Sequence, residues 1–400
     1  MQLAPILIFA GTYLTLAAGR IPFLRIDRTG AAIIGASLML AFNVLTVEEA
    51  YAAVNYDTII LLFGMMIVVA NLRLSGFFSA VSAWVVDHAH APLVLLSGIV
   101  LVSGVFSAFF VNDTMCLVLT PLVLEITRRL GRKPIPYLLA VAMSSNIGSV
   151  ATITGNPQNM MIGSFSRIPY RTFAAALTPV AAAGLLLTIT ILALVYRDEF
   201  RSRAALTIEH RPVRINRPLL WKSLAVSIGM IFFFFAGLPV SKVAVIAGAL
   251  LLVTRRVKPE KVYREIDWSL LVLFIGLFIV IAGLEKTSVP HDLFAAASRF
   301  HLDRPGPLSV FAALLSNLVS NVPAVLVFKS FIPHLPNATR AWLTLAMSTT
   351  LAGNLTLLGS VANLIVVQRA RGEVEISFRE YARAGVPLTI VTLTVGVLLL

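Results

Sequence analysis

The chain has 400 residues, of which 58% are apolar and 13% are charged, and its mean hydropathy is +0.89. Globular domains are about 45–50% apolar and about 25% charged, so this composition excludes a soluble protein and indicates a polytopic membrane protein. The net charge is +13, but the basic residues lie in short tracts between apolar runs, which favours membrane topology over nucleic-acid binding. The single cysteine, Cys116, excludes an internal disulfide framework and a cysteine-built metal site.

Twelve apolar stretches follow one another along the chain. They lie at 3–19, 29–45, 58–72, 92–126, 135–166, 172–196, 223–236, 243–254, 268–284, 306–333, 342–368 and 384–400. The first lacks the charged n-region and cleavage site of a signal peptide, and we interpret it as a span. The stretches 92–126 and 306–333 are too long for one pass and short for two, and each carries an asparagine in its middle. We predict re-entrant hairpins there and ten full spans elsewhere.

The distribution of lysine and arginine predicts the orientation. With the N-terminus outside, the loops that lie inside carry 24 of the 32 basic residues, and both termini lie outside. The segment 197–222 has seven basic residues and two prolines, and we predict that it is the cytoplasmic linker between two halves. We expect a multi-pass protein of the plasma (inner) membrane of a prokaryote, embedded in the lipid bilayer.

The sequence repeats itself at an offset just above 200. The tripeptide Ala-Met-Ser at 142–144 recurs at 346–348, and the same offset aligns a threonine, a glycine and an asparagine further along. Upstream, Ser107 and Asn112 match Ser316 and Asn321 at an offset of 209, and a third match follows at 212. The matched residues are Ser, Thr, Asn and Gly and not Leu or Val, so general apolar similarity does not explain them.

The repeat predicts the fold class, an all-α polytopic membrane protein made of two inverted repeats. We expect the first repeat at 1–196 and the second at 223–400. Each would hold five spans, one of which is a broken helix (135–166 and 342–368), plus a re-entrant hairpin. Because the number of spans in each copy is odd, the second copy enters the bilayer upside down, which is typical of secondary transporters.

Polar clusters interrupt the hydrophobic runs at both hairpin tips and in both broken helices. Pro157 and nearby glycines permit irregular backbone, whose freed polar groups must be buried in protein or line a cavity. Half-helix N-termini favour an anion, whereas carbonyl, hydroxyl and amide oxygens suit a cation or a polar neutral solute. We predict one site near mid-membrane, built from both repeats. Its predicted members are Asn112, Asp113, Thr114, Asn146, Ser149, Thr152, Gly155, Asn156, Asn159, Ser320, Asn321, Thr350, Asn354, Thr356, Gly359 and Asn363.

Asp113 stands out because it is an ionisable residue in an apolar segment, which is a functional hypothesis by default. We predict that it titrates during transport or faces a bound cation; the alternative is a structural pair with a distant Lys or Arg. For the tip asparagines the alternative is helix–helix contact. Glu125 lies one turn from Arg128 and Arg129, which indicates an interfacial ion pair. No Walker, dinucleotide, nucleophile-elbow or metal motif occurs, so we expect no cofactor, no metal site, no nucleic-acid partner and no enzyme activity.

These motifs resemble the ion transporter superfamily over nearly the whole chain. The features that carry the resemblance are the asparagines at the tips and the broken helix that reads Asn-Ile-Gly-Ser at 146–149 and Gly-Asn-Pro-Gln-Asn at 155–159. The superfamily includes arsenical pump membrane proteins (ArsB type), NhaD-type sodium/proton antiporters, the P protein and divalent anion:sodium symporters. The resemblance implies a scaffold domain, a transport domain that holds the hairpins and broken helices, elevator-type movement and commonly a homodimer.

The tips are most similar to those of the arsenical pumps. Dicarboxylate symporters carry Ser-Asn-Thr at both tips, whereas here Asp113 and Val322 replace the threonine. Asn112-Asp113 followed by Leu-Thr-Pro resembles the pumps, which export arsenite and antimonite in exchange for protons, some with a soluble ATPase partner. The resemblance implies the same antiport here, with Asp113 as the proton-coupling residue. The alternatives are a sodium- or proton-coupled anion permease, for example for dicarboxylates, and a sodium/proton antiporter. We expect Cys116 to be a packing residue.

Overall fold

A computed structural model of the chain describes residues 3–18, 26–201, 214–289 and 299–400. Within these ranges the regular secondary structure is helical throughout, with 20 α-helices and two short 3-10 turns. The helices of the first half are α1 (Leu3–Ala18), α2 (Arg28–Ala41), α3 (Val47–Ala53), α4 (Tyr56–Ser75), α5 (Phe77–His88), α6 (Pro92–Phe109), α7 (Asn112–Arg129), α8 (Pro134–Ser149), α9 (Pro157–Ser166), α10 (Tyr170–Val195) and α11 (Arg197–Phe200). Those of the second half are α12 (Arg217–Phe235), α13 (Val240–Leu252), α14 (Pro259–Tyr263), α15 (Trp268–Glu285), α16 (Pro305–Val319), α17 (Asn321–Lys329), α18 (Ala338–Ala352), α19 (Val361–Ala370) and α20 (Phe378–Leu399).

Six of the described helices are long and apolar enough to cross a membrane, namely α4, α6, α10, α12, α15 and α20. Both predicted hairpins are pairs of helices, α6 with α7 and α16 with α17, that meet at an asparagine. The 18 residues of α6 extend about 27 Å at 1.5 Å per residue, close to the thickness of the hydrocarbon core of about 30 Å. How deep each tip lies in the bilayer stays a prediction.

Two predicted loops contain helix. The segment 73–91, between the apolar stretches 58–72 and 92–126, is predicted as an inside loop but holds α5, whose buried face includes Phe78 and Val85. With only 12 residues, α5 is too short to cross the bilayer and is not found by a search for spans. The segment 197–222, predicted as the linker, contains the first residues of α12, which begins at Arg217. Asn216 caps this helix by accepting a hydrogen bond from the backbone N–H of Leu219 at 3.3 Å. Residues 202–213 of the linker lie outside the described ranges.

The six helices α1, α2, α4, α12, α13 and α15 exchange partners between the two repeats. Helix α4 packs on α13 and α12, and in the same way α15 packs on α2 and α1. Both crossings are close at a glycine. A Cβ added at Gly64 would lie 2.5 Å from the carbonyl carbon of Ala244, and one at Gly276 would lie 2.8 Å from that of Ala32. Because both pairs are related by an offset of 212, the exchange follows a two-fold pseudo-symmetry between the repeats. We call these six helices the scaffold bundle, or scaffold.

The hairpins and broken helices form a second bundle with the same symmetry. Helix α6 packs on α8 and α16 packs on α18, while α9 packs on α18 and α19 packs on α8. Short polar contacts hold each hairpin to its broken helix: the Oγ of Ser107 donates to the Oγ of Ser145 at 2.9 Å, and the Oγ of Ser348 donates to the Oγ of Ser309 at 2.8 Å. This packing brings the two tips and the two helix breaks together. The all-α fold with two repeats is therefore confirmed.

Candidate substrate site between the two repeats

Each broken helix is interrupted by a stretch of irregular backbone, at 150–156 in the first repeat and 353–360 in the second. In the first break a Cβ at Gly155 would collide with the carbonyl oxygen of Ser149, so only glycine fits this close approach. Asn156 caps the following half-helix by accepting a hydrogen bond from the backbone N–H of Asn159 at 2.8 Å, and Pro157 occupies its first turn. Local sequence therefore determines where the helix stops and restarts.

One asparagine closes each break. The Nδ2 of Asn159 donates to the carbonyl oxygens of Ser149 and Thr152, both at 3.0 Å. The Nδ2 of Asn363 donates to the two equivalent carbonyls of the second break at 2.7 and 3.1 Å. These bonds satisfy carbonyls that the helix leaves free, as buried backbone requires. Asn159 and Asn363 therefore brace the backbone, and their Nδ2 atoms are occupied by it.

Asn146 joins the first hairpin tip to the second break. It is fully buried, and its Nδ2 donates to the Oδ1 of Asn354 at 2.8 Å and of Asn363 at 3.0 Å. Its Oδ1 accepts from the Nδ2 of Asn112 at 3.1 Å and from the Oγ of Ser360 at 3.0 Å. Four hydrogen bonds use both ends of this amide. Asn146 is thus one of the residues that join the two repeats.

The reciprocal contact occurs at Thr350, which occupies the position of Asn146 in the second repeat. Its Oγ1 accepts from the Nδ2 of Asn156 at 3.3 Å and from the Nε2 of Gln158 at 3.1 Å. Asn156 in turn is equivalent to Ser360, the residue that donates to Asn146. Each break therefore sends a polar side chain into the half-helix of the other repeat, which makes the site a shared structure.

The second hairpin tip has strained backbone. Ser320 has φ +80°, a conformation that residues other than glycine rarely adopt and that is frequent at functional sites. Beside it, the amide of Asn321 satisfies both of its ends when its nitrogen donates to the Oγ of Ser316 at 2.7 Å and its oxygen accepts from the Nε2 of Gln158 at 3.3 Å. The tip is thereby tied to the first break as well as to its own hairpin.

A cavity of about 70 Å³ lies between this polar bundle and the scaffold. Its scaffold wall is apolar and comes from α1 and α15: Leu16, Leu270, Leu273, Phe274 and Leu277. The polar side chains of the opposite wall are Asn112, Asp113, Gln158, Ser320, Asn321 and Ser360. Sites for drug-sized ligands are about 300–1,000 Å³, so this cavity fits a solute of only a few non-hydrogen atoms.

Two opposite charges line the cavity. Asp113 lies in the first turn of α7 and Arg28 is the first residue of α2, and each is partly exposed to the cavity. Within the described part of the chain neither side chain makes a hydrogen bond or an ion pair, although the two interact electrostatically. Arg28 therefore lines the same cavity as Asp113 without contacting it. A basic residue is nearby, as the alternative of a structural pair requires, but the two side chains form no ion pair, which is what the predicted functional role requires.

The predicted site residues divide into groups by their place in the structure. Four of them line the cavity: Asn112, Asp113, Ser320 and Asn321. Seven belong to the hydrogen-bond network behind it: Asn146, Ser149, Asn156, Asn159, Thr350, Asn354 and Asn363. Four shape the helix breaks: Thr152, Gly155, Thr356 and Gly359. Thr114 is on α7 but does not line the cavity.

Three polar residues of the site were not predicted. Gln158 and Ser360 stand within the polar clusters of the broken helices, so the pattern that selected their neighbours could have selected them. Arg28 is the last basic residue of the segment 20–28, which was used only to predict orientation, and no local signal places it in a cavity. Of the neighbouring predictions, Glu125 does pair with Arg129, while Cys116 is buried with its Sγ 4.0 Å from the carbonyl oxygen of Val141 and does not line the cavity.

Comparison with known proteins identifies the family. Residues 13–352 match the family described as CitMHS, citrate transporter. The chain belongs to the citrate transporter family. Among the relatives of this chain, the silicon efflux transporter LSI3 of Oryza sativa subsp. japonica is 31% identical over 94% of this chain and 93% of its own length. The putative transporter arsB of Dictyostelium discoideum is 25% identical over 94% of this chain and 87% of its own length.

The fold of this family member is also found in a solved structure. The YdaH transporter of Alcanivorax borkumensis, whose crystal structure is described as having an unusual topology, matches with a TM-score of 0.60. The match covers 99% of this chain and 97% of that chain at 16% sequence identity, so it shows a common fold and nothing finer. The resemblance to the ion transporter superfamily is confirmed, and this member of the citrate transporter family is a multi-pass secondary transporter.

Proposed function

We propose that this transporter exports a small uncharged metalloid hydroxide in exchange for protons, with arsenous acid (arsenite) and its antimony analogue as the favoured substrates. The observation that carries the proposal is the cavity, whose polar side chains provide one carboxyl group, one guanidinium group and otherwise only amides and hydroxyls, opposite an apolar wall. Arsenous acid is uncharged at neutral pH and has only a few non-hydrogen atoms. Its hydroxyl groups both donate and accept hydrogen bonds, as do the amides and hydroxyls of the polar wall.

Proton coupling is assigned to Asp113, the one carboxyl group among the residues that line the cavity. Carboxyl groups inside membrane proteins commonly serve as proton relays. Asp113 would release its proton where substrate enters and take up another where substrate leaves. The silicon efflux transporter and the putative arsB are relatives whose names fit export of this class of solute.

The wall composition supports alternating access by an elevator-type movement. All polar lining residues except Arg28 lie on the hairpins and broken helices, while the scaffold contributes leucines and a phenylalanine. A polar site can move along an apolar wall without exchanging hydrogen bonds with it. The scaffold domain and the transport domain of such an elevator would be the two bundles described above. A homodimer and a soluble ATPase partner stay predictions.

A second candidate is a sodium- or proton-coupled permease for a carboxylate. The family description as citrate transporters and the presence of Arg28 in the cavity favour it. A tricarboxylate such as citrate, however, would bring up to three negative charges to one guanidinium group, and uncompensated charge in an apolar site is costly. The cavity volume of about 70 Å³ also favours a smaller solute.

The test is transport into inside-out vesicles or proteoliposomes with an imposed proton gradient and no ATP, comparing arsenite, silicic acid, citrate, succinate and sodium. We expect arsenite to accumulate and the accumulation to collapse with the gradient. Asp113→Asn should abolish the pH-driven exchange, while Glu125→Gln, which changes an exposed carboxyl group of the same helix, should not. Transport of citrate or sodium but not of arsenite would refute arsenite as the substrate. Normal proton coupling in Asp113→Asn would refute the coupling role of Asp113.

A further inference from the structure

The two-fold symmetry of the repeats fails at the two charges of the cavity. The offset that relates the hairpin tips places Val322 where the first repeat has Asp113. In the scaffold, α13 begins with Val240 where its partner α2 begins with Arg28. Asn112 and Asn159 have asparagines, Asn321 and Asn363, at the equivalent positions of the second repeat, but the acid and the base occur once each. Both face the same cavity although they belong to different bundles.

The remaining charged and titratable groups near Asp113 do not alter the balance of the cavity. Asp267 also interacts with Asp113, but it is exposed and caps α15 by accepting a hydrogen bond from the backbone N–H of Leu270 at 3.0 Å. Cys116 is a buried thiol behind the lining. With Asp113 and Arg28 both ionised, the cavity is therefore neutral overall, and a wall of leucines lowers its dielectric constant.

We propose that Arg28 sets the charge of the transported solute. An uncharged solute leaves the cavity neutral, whereas an anion or a cation leaves it with one unbalanced charge beside an apolar wall, which is unfavourable. The inference rests on the proposed function and extends it, because it assigns to a scaffold residue the choice between uncharged and charged substrates.

The experiment measures the affinities of the full-length purified protein for an uncharged probe, arsenous acid, and an anionic probe, formate, by ligand-dependent thermal stabilisation and by inhibition of counterflow. Asp113→Asn makes the cavity positive, and its preference should shift toward formate by about tenfold or more. Arg28→Gln makes the cavity negative and should shift the preference away from formate. Arg28→Lys, and the double variant Arg28→Gln with Asp113→Asn, restore neutrality and should keep the preference for arsenous acid. Arg340→Gln removes an exposed arginine of α18 and is the matched control.

Two results would overturn the inference. If the ratio of the two affinities is the same in all variants, the cavity selects by shape and not by charge. If Arg28→Lys behaves like Arg28→Gln, the guanidinium geometry and not its charge is what matters. The proposed function has a separate readout, because it fails if the wild-type protein itself prefers formate. Size-exclusion profiles report folding, and the neutral double variant shows whether a loss in either single variant comes from charge.

Discussion

Replacing Asn146 by alanine is the sharpest test of the network between the repeats. This side chain is fully buried and joins the first broken helix to three groups of the other repeat and to the first hairpin tip, with four hydrogen bonds of 2.8 to 3.1 Å. Alanine removes all four bonds and leaves the partner amides and hydroxyl without this contact. The free energy of unfolding should therefore fall, because the two repeats lose the hydrogen bonds that Asn146 makes between them.

The magnitude follows from the number of bonds. A hydrogen bond between membrane helices contributes about 0.6 kcal/mol on average, and a buried hydrogen bond in general about 1 kcal/mol. Four such bonds give a loss of about 2 to 4 kcal/mol. The full penalty for four unsatisfied buried groups would be larger, but two of the partners, Asn112 and Ser360, line the cavity and can bond to water there instead.

Asn71→Ala is the matched control, since Asn71 is also a fully buried asparagine. Its Nδ2 makes one hydrogen bond, to the carbonyl oxygen of Ile67 in its own helix at 2.9 Å, and its Oδ1 has no partner among the described residues. Its replacement should change stability by less than about 1 kcal/mol. Reversible unfolding in mixed micelles measures both variants. Equal unfolding free energies would refute the reasoning, because they would show that the contacts between repeats add nothing beyond ordinary burial.

Three further perturbations test separate parts of the molecule. Gly64→Ala should destabilise the scaffold by about 1–3 kcal/mol, because its Cβ would lie 2.5 Å from the backbone of α13, whereas Gly229→Ala meets nothing within 4 Å and should be neutral or stabilising in thermal unfolding. Lys286 donates to both carboxylate oxygens of Glu49 at 2.6 Å and holds the pKa of that carboxyl below its usual value. The resulting stabilisation is present above the unfolded pKa of about 4.3 and is lost as pH falls through the lowered folded pKa, so Lys286→Met should flatten the loss of stability below about pH 4.3, while an unchanged acid limb would contradict the pairing. Cys116→Ser should retain arsenite transport, because the thiol faces α8 and not the cavity; loss of transport would make the thiol a ligand.

Much of the architecture was predictable because its signals are local. Gly155, which alone fits the close approach to Ser149, and Pro157, in the first turn of α9, mark the first break locally. The asparagines at the tips mark points where a long apolar stretch has to turn. The match between Asn159 and Asn363 anticipated the same pair of hydrogen bonds in each break. These features depend on residues that are neighbours in the chain, so a single sequence contains them.

The parts that were missed depend on tertiary packing. Arg28 enters the cavity only because α2 packs on α15, a helix 240 positions further along, and the sequence near Arg28 shows only a basic loop. The apolar wall of α15 is indistinguishable in sequence from a lipid-facing side. Helix α5 lies in a predicted loop because its 12 residues are too few for a membrane span, so only its packing in the fold identifies it. The assignment of Asn146 as one of the residues that join the repeats likewise required the positions of both repeats at once.

The exchange of partners between α4 and α13 affects how the chain is made. Gly64 and Ala244 are 180 positions apart, and at about 5–20 residues per second a ribosome needs roughly 10 to 35 s to synthesise the chain between them. During that interval the small-residue face of α4 has no helix to pack on and is exposed to lipid or to the insertion machinery. The first repeat therefore lies in the bilayer without the packing partner of α4 until α13 has been synthesised. A nascent chain stalled before α13 emerges should be degraded faster than one stalled after it.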